Sequence, residues 1–349
     1  VILGEDNPGK LYQLKVLPNG EIIDPNIQYP LVSQDPGDIE VTTDFQYILV
    51  ASGYGMNCFR VLNDGNLLSA STISVDLPQN FTITPNNELV IISTYYCTTV
   101  FSFTTAGELI NGTGGPILSR PKTEPLGRGL LGATTSFTFS SFTINYNNNT
   151  IQPTAIYPEG HGVRGFTFTY DGKLGFVYGL DVTPGDPVSG KDLWVLNIDS
   201  AFNVTTTSQM FDFGMVGGGG CYPTISRDNK YLWASTGSHI ELLTFNTTTG
   251  EITDTGRKFY VLNTTWTAAG PMRTTSDGTL AIVWYDDTRL SKPGSFATAW
   301  INADGSLTWT GYYYNFELVY ASMGTGIIDY ELIPVYVTGL ESDKWQLYE

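Results

Sequence analysis

Short apolar runs recur along the chain, each bounded by polar turn residues. Almost nowhere do apolar residues return at the three-to-four spacing of an amphipathic helix. The runs read VILGED from Val1, YILVAS from Tyr47, LVIIST from Leu89 and LLGATTS from Leu130. Four more follow: LGFVYG from Leu174, YLWAST from Tyr231, LAIVWY from Leu280 and IPVYVT from Ile333. Their separation, roughly forty to sixty residues, is the period of a four-stranded propeller blade. The turn before most runs repeats as well: TTDFQY, TPNNEL, TYDGKL, SRDNKY and TSDGTL each set Asp or Asn in a tight reversal. Such residues hydrogen-bond their own backbone or tolerate left-handed geometry. A second hairpin signature recurs in PNGEII, NDGNLL, TAGELI, TTGEIT and ADGSLT. There Gly20, Gly65, Gly107, Gly250 and Gly305 supply the position of positive φ.

These modules predict an all-β propeller forming one domain over residues 1–349, with eight blades favoured and seven as the alternative. With the strands of a blade labelled a (inner) to d (outer), Val1 enters at strand b and DKWQLYE stops at strand c. The terminal blades are thus incomplete within the numbered chain. The expectation is that a chain extension, or a neighbouring copy by strand addition, covers the open edges. The weakest module is the fourth, around Leu130 to Thr150.

Composition sharpens this picture. Of 349 residues, 41 % are hydrophobic and 13 % aromatic, so a core can form, while only 15 % are charged. Gly (38) and Tyr (21) each outnumber Lys and Arg together (17), a mixture that suits strands and turns better than helices. The net charge of −17 excludes a basic stripe of the kind that duplex binding needs. It also disfavours anionic membrane surfaces, and no apolar run approaches the ~20 residues of a membrane span. The expected partners therefore include neither nucleic acid nor an inserted membrane. VILGEDNPGK lacks the basic start and apolar centre of a signal peptide, so a secreted form would be the mature one.

Six N-x-Ser/Thr sequons begin at Asn80, Asn111, Asn148, Asn203, Asn246 and Asn263. With few lysines and an acidic, Tyr/Thr/Gly-rich composition, they point to an extracellular protein carrying N-linked glycans. Three of them, Asn148, Asn203 and Asn246, fall between strands c and d, whereas Asn80 leads into an inner strand. Cys58, Cys97 and Cys221 allow one internal disulfide at most. Cys58 and Cys97 are the candidate pair, on condition that neighbouring blades bring their Cα atoms within about 4.4–6.8 Å.

Several segments resemble the YVTN/lactonase group of propellers, which includes bacterial 6-phosphogluconolactonase. VILGEDNPGKLYQLKVLPNGEI, GVRGFTFTYDGKLGFVYGLD and VYVTGLESDKWQLYE look most like the fungal carboxy-muconate lactonizing enzymes. The likeness spans the chain and consists mostly of structural repeat. It implies a catalytic histidine at the start of a middle inner strand, where this chain has Arg164. It implies an arginine in the next blade, near Cys221, and a further one after a strand b, matched by Arg289. His161, three residues before Arg164, is the substitute proton donor.

The b–c and d–a loops share one face of a propeller, the usual ligand entrance. They carry the candidate ligand-binding residues Asp181, Cys221, His239, Asp286 and Asp287 besides the residues above. Asp181, Asp286 and Asp287 are hard oxygen ligands, suited to Ca²⁺ or Mg²⁺ in the channel mouth. His161 and His239 lie in different blades, which argues against a shared transition-metal site. Two functions follow as expectations. The favoured one is a secreted, glycosylated propeller with a binding or assembly role and no catalytic site of the family's type. The alternative is a lactonase or cycloisomerase acting on a small carboxylated lactone or muconate-like substrate, with His161, Arg164 and Arg289 as acid and anion clamps.

Overall fold

The computed structural model describes residues 2–5, 10–31, 36–94, 96–133, 138–157, 163–179, 191–213, 221–263, 267–287, 295–315, 330–331, 335–336 and 347–348. Within them strands dominate, and the helical element is a 3₁₀ turn, Val261–Asn263. β1 (Ile2–Glu5), β2 (Lys10–Val16) and β3 (Ile22–Pro30) come first. The second sheet is β4 (Pro36–Val41), β5 (Tyr47–Ser52), β6 (Gly55–Val61) and β7 (Leu67–Ser74); the third is β8 (Pro78–Ile83), β9 (Leu89–Thr94), β10 (Thr98–Phe103) and β11 (Leu109–Gly115). Then come β12 (Ser119–Thr123), β13 (Gly129–Ala133), β14 (Phe139–Asn145) and β15 (Thr150–Tyr157), followed by β16 (Gly165–Phe168), β17 (Leu174–Tyr178), β18 (Leu193–Ile198) and β19 (Val204–Phe211). The last two complete blades are β20 (Tyr222–Ile225), β21 (Tyr231–Ser235), β22 (Ile240–Phe245) and β23 (Ile252–Phe259), and β24 (Thr267–Thr274), β25 (Leu280–Asp287), β26 (Ser295–Ile301) and β27 (Leu307–Asn315).

The all-β propeller is present, but both the eight-blade count and the alternative of seven are corrected among the described residues. Six blades each consist of four consecutive antiparallel strands. A further four-stranded sheet is composite: β28 (Tyr330–Glu331) pairs with β1, Ile2 opposite Glu331 and Leu3 opposite Tyr330, giving the order β28-β1-β2-β3. The edge of β1 is therefore covered by the chain itself. The eighth apolar run contributes only to a two-stranded sheet of β29 (Val335–Tyr336) and β30 (Leu347–Tyr348). An apolar run bounded by turns marks a strand b, yet says nothing of whether that strand finds a place in the ring.

Position within a blade explains the burial of each strand. Strands b lie between the two neighbouring sheets and are buried along their whole length, as in YILVAS and LVIIST. Strands d alternate between exposed and half-buried positions at the outer rim. Apolar side chains interleave between successive sheets. Leu11 packs with Ile39, Ile48 and Phe59, and Leu14 and Val16 pack with Leu280, Ile282 and Phe296, joining the last complete blade to the composite sheet. The Thr298 hydroxyl donates to the Gly20 carbonyl at 2.6 Å across that junction, and Tyr314 donates to Asp24 at 2.5 Å.

The a–b turns work through side chains. In TTDFQY the Thr42 hydroxyl donates to Asp44 (2.6 Å) and accepts from the Tyr47 N–H (3.0 Å), while Asp44 accepts from Gln46 N–H (3.1 Å). Thr84/Asn86, Ser226/Asp228 and Thr275/Asp277 repeat the device. In the fourth module Glu124 takes this part, accepting from the Arg128 N–H and guanidinium at 2.7–3.0 Å. Arg128 then donates to the carbonyls of Gly172 and Asp199 in the next blade. That substitution is why the module reads weakly in sequence. The five hairpin glycines all have positive φ, between 70° and 86°.

The expected Cys58–Cys97 disulfide is absent, since all three cysteines are free. Cys58 lies inside β6, opposite Leu49, whereas Cys97 precedes β10 and is exposed. The two therefore sit at different levels of their blades. Burial pushes the Cys58 thiol up to about 12. Iodoacetamide added to native, unreduced protein is accordingly expected to modify one cysteine, Cys97, and denaturant should expose all three. Intact-mass measurement checks this, and a native protein with no reactive thiol would contradict it.

Candidate functional site

The inner strands enclose a channel with a cavity of about 540 Å³. Side chains alternate along a strand, so every second residue faces the channel. Counting back from the Thr or Ser of each a–b turn, one layer contains Glu40, Lys122, Thr167, Thr224 and Arg273. The next layer, nearer the b–c and d–a face, contains Asp38, Asn80, Arg120 and Tyr222. Among the described residues the lining holds five cations, Arg120, Lys122, Arg164, Arg227 and Arg273, against two carboxylates, Asp38 and Glu40. This is a reversal of sign in a chain with 34 acidic and 17 basic residues.

The carboxylates are tied to the frame. Glu40 accepts from Ile83 N–H at 2.6 Å and from the Lys122 ammonium; Asp38 accepts from Phe81 N–H at 3.0 Å. Arg120 and Arg164 have no carboxylate partner among the described residues. Arg120 sits at a bulge in β12, where the register shifts between Ser119 and Lys122, and its own φ is 51°. Bulges re-aim side chains. Here the guanidinium donates to the Val163 carbonyl at 3.0 Å, one residue from Arg164. Burial pulls the Arg120 pKa below its ordinary value; Tyr178 opposes that shift and the Arg164 charge adds to it.

Two glycines make room for this cluster. A Cβ on Gly165 would lie 2.3 Å from the Tyr178 hydroxyl oxygen, and one on Gly179 would lie 2.4 Å from Arg164 Cγ. Gly179 also has φ +74°. The Arg164 N–H donates to the Tyr178 carbonyl at 2.9 Å, and the Tyr178 and Tyr222 rings lie 6.4 Å apart, tilted by 57°. Two unneutralised guanidiniums and two phenols thus converge at the channel entrance. They can bind a small anion and stabilise charge developing on an oxygen.

Of the residues singled out in the sequence, Arg164 lies in this lining. His161, Asp181 and Arg289 are outside the described residues; Asp286 and Asp287 lie on β25, pairing with Ala268 and Thr267 in the sheet. His239 is not in the channel lining: it is buried in the β21–β22 turn, with Nε2 2.7 Å from Glu241 Oε1. Cys221 is corrected as a ligand-facing group. It is fully buried, its thiol donates to the Asp192 carbonyl at 3.3 Å, and burial raises its pKa far above the ordinary thiol value. The next residue, Tyr222, faces the channel instead, as strand alternation requires. Among the described residues, no group of three or more His, Cys, Asp or Glu could hold a metal ion. Arg120, Tyr178, Tyr222 and Arg273 were not anticipated. Aligning the a–b turns and reading the second and fourth residues before each would have found three of these four; Tyr178, at the end of a strand b, carries no such signal.

The sequons also have definite places. Asn148, Asn203 and Asn246 are exposed in c–d turns, Asn111 is exposed on β11, and Asn263 is exposed in a short 3₁₀ turn. Asn80 lines the channel on β8.

No family model matches the chain, and no curated protein does. Solved structures do. A candidate 6-phosphogluconolactonase of Bacteroides uniformis is similar at 15 % identity with a TM-score of 0.70, over 90 % of this chain and 95 % of that one. The periplasmic gluconolactonase PpgL of Pseudomonas aeruginosa gives 12 % and 0.68 over 90 % and 95 %. A candidate 6-phosphogluconolactonase of Bacteroides fragilis gives 18 % and 0.66 over 90 % and 94 %. At such identities the likeness shows the β-propeller fold alone. The resemblance to muconate lactonizing enzymes is left without support.

Replacing Gly165 or Gly179 by Ala should displace Tyr178 or Arg164 while leaving the sheets intact. The Gly179 change should also cost about 1–2 kcal/mol from its left-handed backbone. Thermal unfolding and titration with a small carboxylate check both; unchanged anion affinity in both variants would contradict this role.

Proposed function

We propose that the protein binds a small anionic lactone in its central channel and opens the ring with water. The observation that carries this reading is the Arg120–Arg164 pair, which faces the channel without a carboxylate partner among the described residues. The guanidiniums hold the carboxylate or phosphate of the substrate or the oxyanion formed when water adds to the lactone carbonyl. Tyr178 and Tyr222 orient the ring, and Asp38 and Glu40 are the lining groups able to accept the proton of the attacking water. The ring C–O bond then breaks and a hydroxy acid leaves. The solved gluconolactonase propeller supports this alternative over a purely structural role.

A panel of lactones with and without an anionic substituent, followed by pH-stat titration, tests it. Anionic lactones should be opened faster, and Arg120→Gln or Arg164→Gln should raise KM about tenfold or more, the equivalent of ~1.4 kcal/mol. No turnover of any lactone, together with no binding of the corresponding hydroxy acids, would overturn the proposal.

We also propose that the protein is extracellular and N-glycosylated, a reading supported by the exposure of Asn148, Asn203 and Asn246 in turns on one face of the ring. Glycopeptide mass spectrometry on material from a eukaryotic secretory host should find sugar at most of these turns and none at Asn80, where a glycan would fill the channel. Bare asparagine at all three turns would remove this reading.

A further inference from the structure

The β21–β22 turn, outside the channel lining, reads Thr236-Gly237-Ser238-His239 and leads into Glu241. The Thr236 N–H donates to the His239 carbonyl at 2.9 Å, closing a two-residue hairpin loop with Gly237 at φ +77°. Ser238 is exposed, whereas His239 and Glu241 are buried. Ser238 Oγ lies 2.7 Å from His239 Nδ1, and His239 Nε2 lies 2.7 Å from Glu241 Oε1. Lys258 Nζ is also 2.7 Å from that oxygen, and the Tyr260 ring lies 5.5 Å from the imidazole.

These contacts fix the tautomer. Burial works to raise the Glu241 pKa, but hydrogen bonds from Lys258 and His239 outweigh it and hold the carboxyl below its usual value. An ionised Glu241 accepts, so Nε2 carries the proton of the neutral imidazole. Nδ1 is then the acceptor, and the Ser238 hydroxyl donates to it. This is a nucleophile–base–carboxylate relay in which the hydroxyl is on the exposed residue and the other two residues are buried. The N–H groups of Gly237 and Ser238 make no hydrogen bond among the described residues, and a Cβ on Gly237 would meet nothing within 4 Å. Donors and open space thus lie beside the hydroxyl.

We propose that Ser238 is an activated nucleophile, with His239 as its general base and Glu241 and Lys258 as positioning residues, and that this second site takes small carboxylic esters at the surface. Ser238 Oγ adds to the ester carbonyl carbon as its proton passes to His239 Nδ1. Collapse breaks the ester C–O bond, and the departing alcohol takes that proton. Water, deprotonated by the same nitrogen, then releases the acid and restores the serine. This site is independent of the channel, so its failure and that of the lactone reading are separable.

A fluorophosphonate probe tests it, because attack by the serine oxygen expels fluoride and leaves a stable adduct. Peptide mass spectrometry of the native protein should locate the adduct at Ser238. Labelling should slow by about 100-fold or more in His239→Gln. Glu241→Ala should lose most of the labelling rate, and Glu241→Gln, whose amide oxygen still accepts from Nε2–H, should restore part of it; equal rates in the two Glu241 variants would contradict the positioning role. Far-ultraviolet circular dichroism confirms that each variant folds, and Glu241→Gln alone decides if His239→Gln does not. No adduct at Ser238 under conditions that saturate a reference serine hydrolase would overturn the proposal. So would equal labelling in native, variant and heat-denatured protein.

Discussion

Face-to-face packing of neighbouring sheets is the constraint from which the rest of this structure follows. A single four-stranded sheet this narrow cannot bury both of its faces alone, and the ring supplies two neighbours for each blade. That is why strands b are mostly apolar, buried on both faces and without alternation, while strands d keep it. It is also why the composite sheet matters: with Leu14 and Val16 seated against Leu280 and Ile282, the last complete blade is covered on its outer side. Side-chain hydrogen bonds then fix the level of each inner strand. Thr42, Thr84, Ser226 and Thr275 stand at equivalent places, so residues two and four positions upstream arrive in the channel as layers.

The channel depends on that alignment, and charge is placed against the trend of the whole chain. Among the described residues, most acidic side chains lie in the turns between strands, where water screens those that are exposed. The cations of the lining sit where screening is weaker, and the neighbouring Asp38 and Glu40 are already engaged by backbone N–H groups of β8. Glu40 is further matched by Lys122, so the net field at the entrance comes from Arg120 and Arg164. Their placement relies on absences as much as on contacts, since Gly165 and Gly179 leave the volume that Tyr178 and Arg164 occupy.

The repeat made the fold legible, because a period-two pattern, a turn with Asp or Asn and a hairpin glycine all agree in each blade. The blade count was not legible. The run at Ile333 carries the same local signal as a strand b, yet the order of strands in a ring is decided by which edges are free. The site was legible only in part. Arg164 was found by comparison of a motif, but Cys221 was chosen where its neighbour Tyr222 faces the channel, a one-residue difference that alternation turns into opposite faces. Arg120 was hidden because its turn carries Glu124 where the other turns carry Thr or Ser, so the module does not align by eye with the rest. Ser238 and His239 are adjacent in sequence, and only the turn geometry, with Glu241 two residues further on, brings all three into one hydrogen-bonded line.

The opposition between a net charge of −17 and a cationic channel bears on selectivity. At physiological salt the Debye length is about 8 Å, so an approaching anion meets the acidic exterior only near the surface and then enters a region of opposite field. The exterior therefore penalises anions that are too large to leave it, while a small carboxylate or phosphate escapes that penalty on reaching Arg120 and Arg164. A macromolecular polyanion would keep most of its charge against the acidic rim and gain little from the two guanidiniums. Size and charge are thus tested together, and the arrangement favours a small monoanion or dianion over any extended acidic partner. The Ser238 turn lies outside this field of arginines. If both proposals hold, the two sites would divide acyl chemistry by place: ring-opening of anionic lactones inside the channel, and attack on small esters at the exposed hydroxyl.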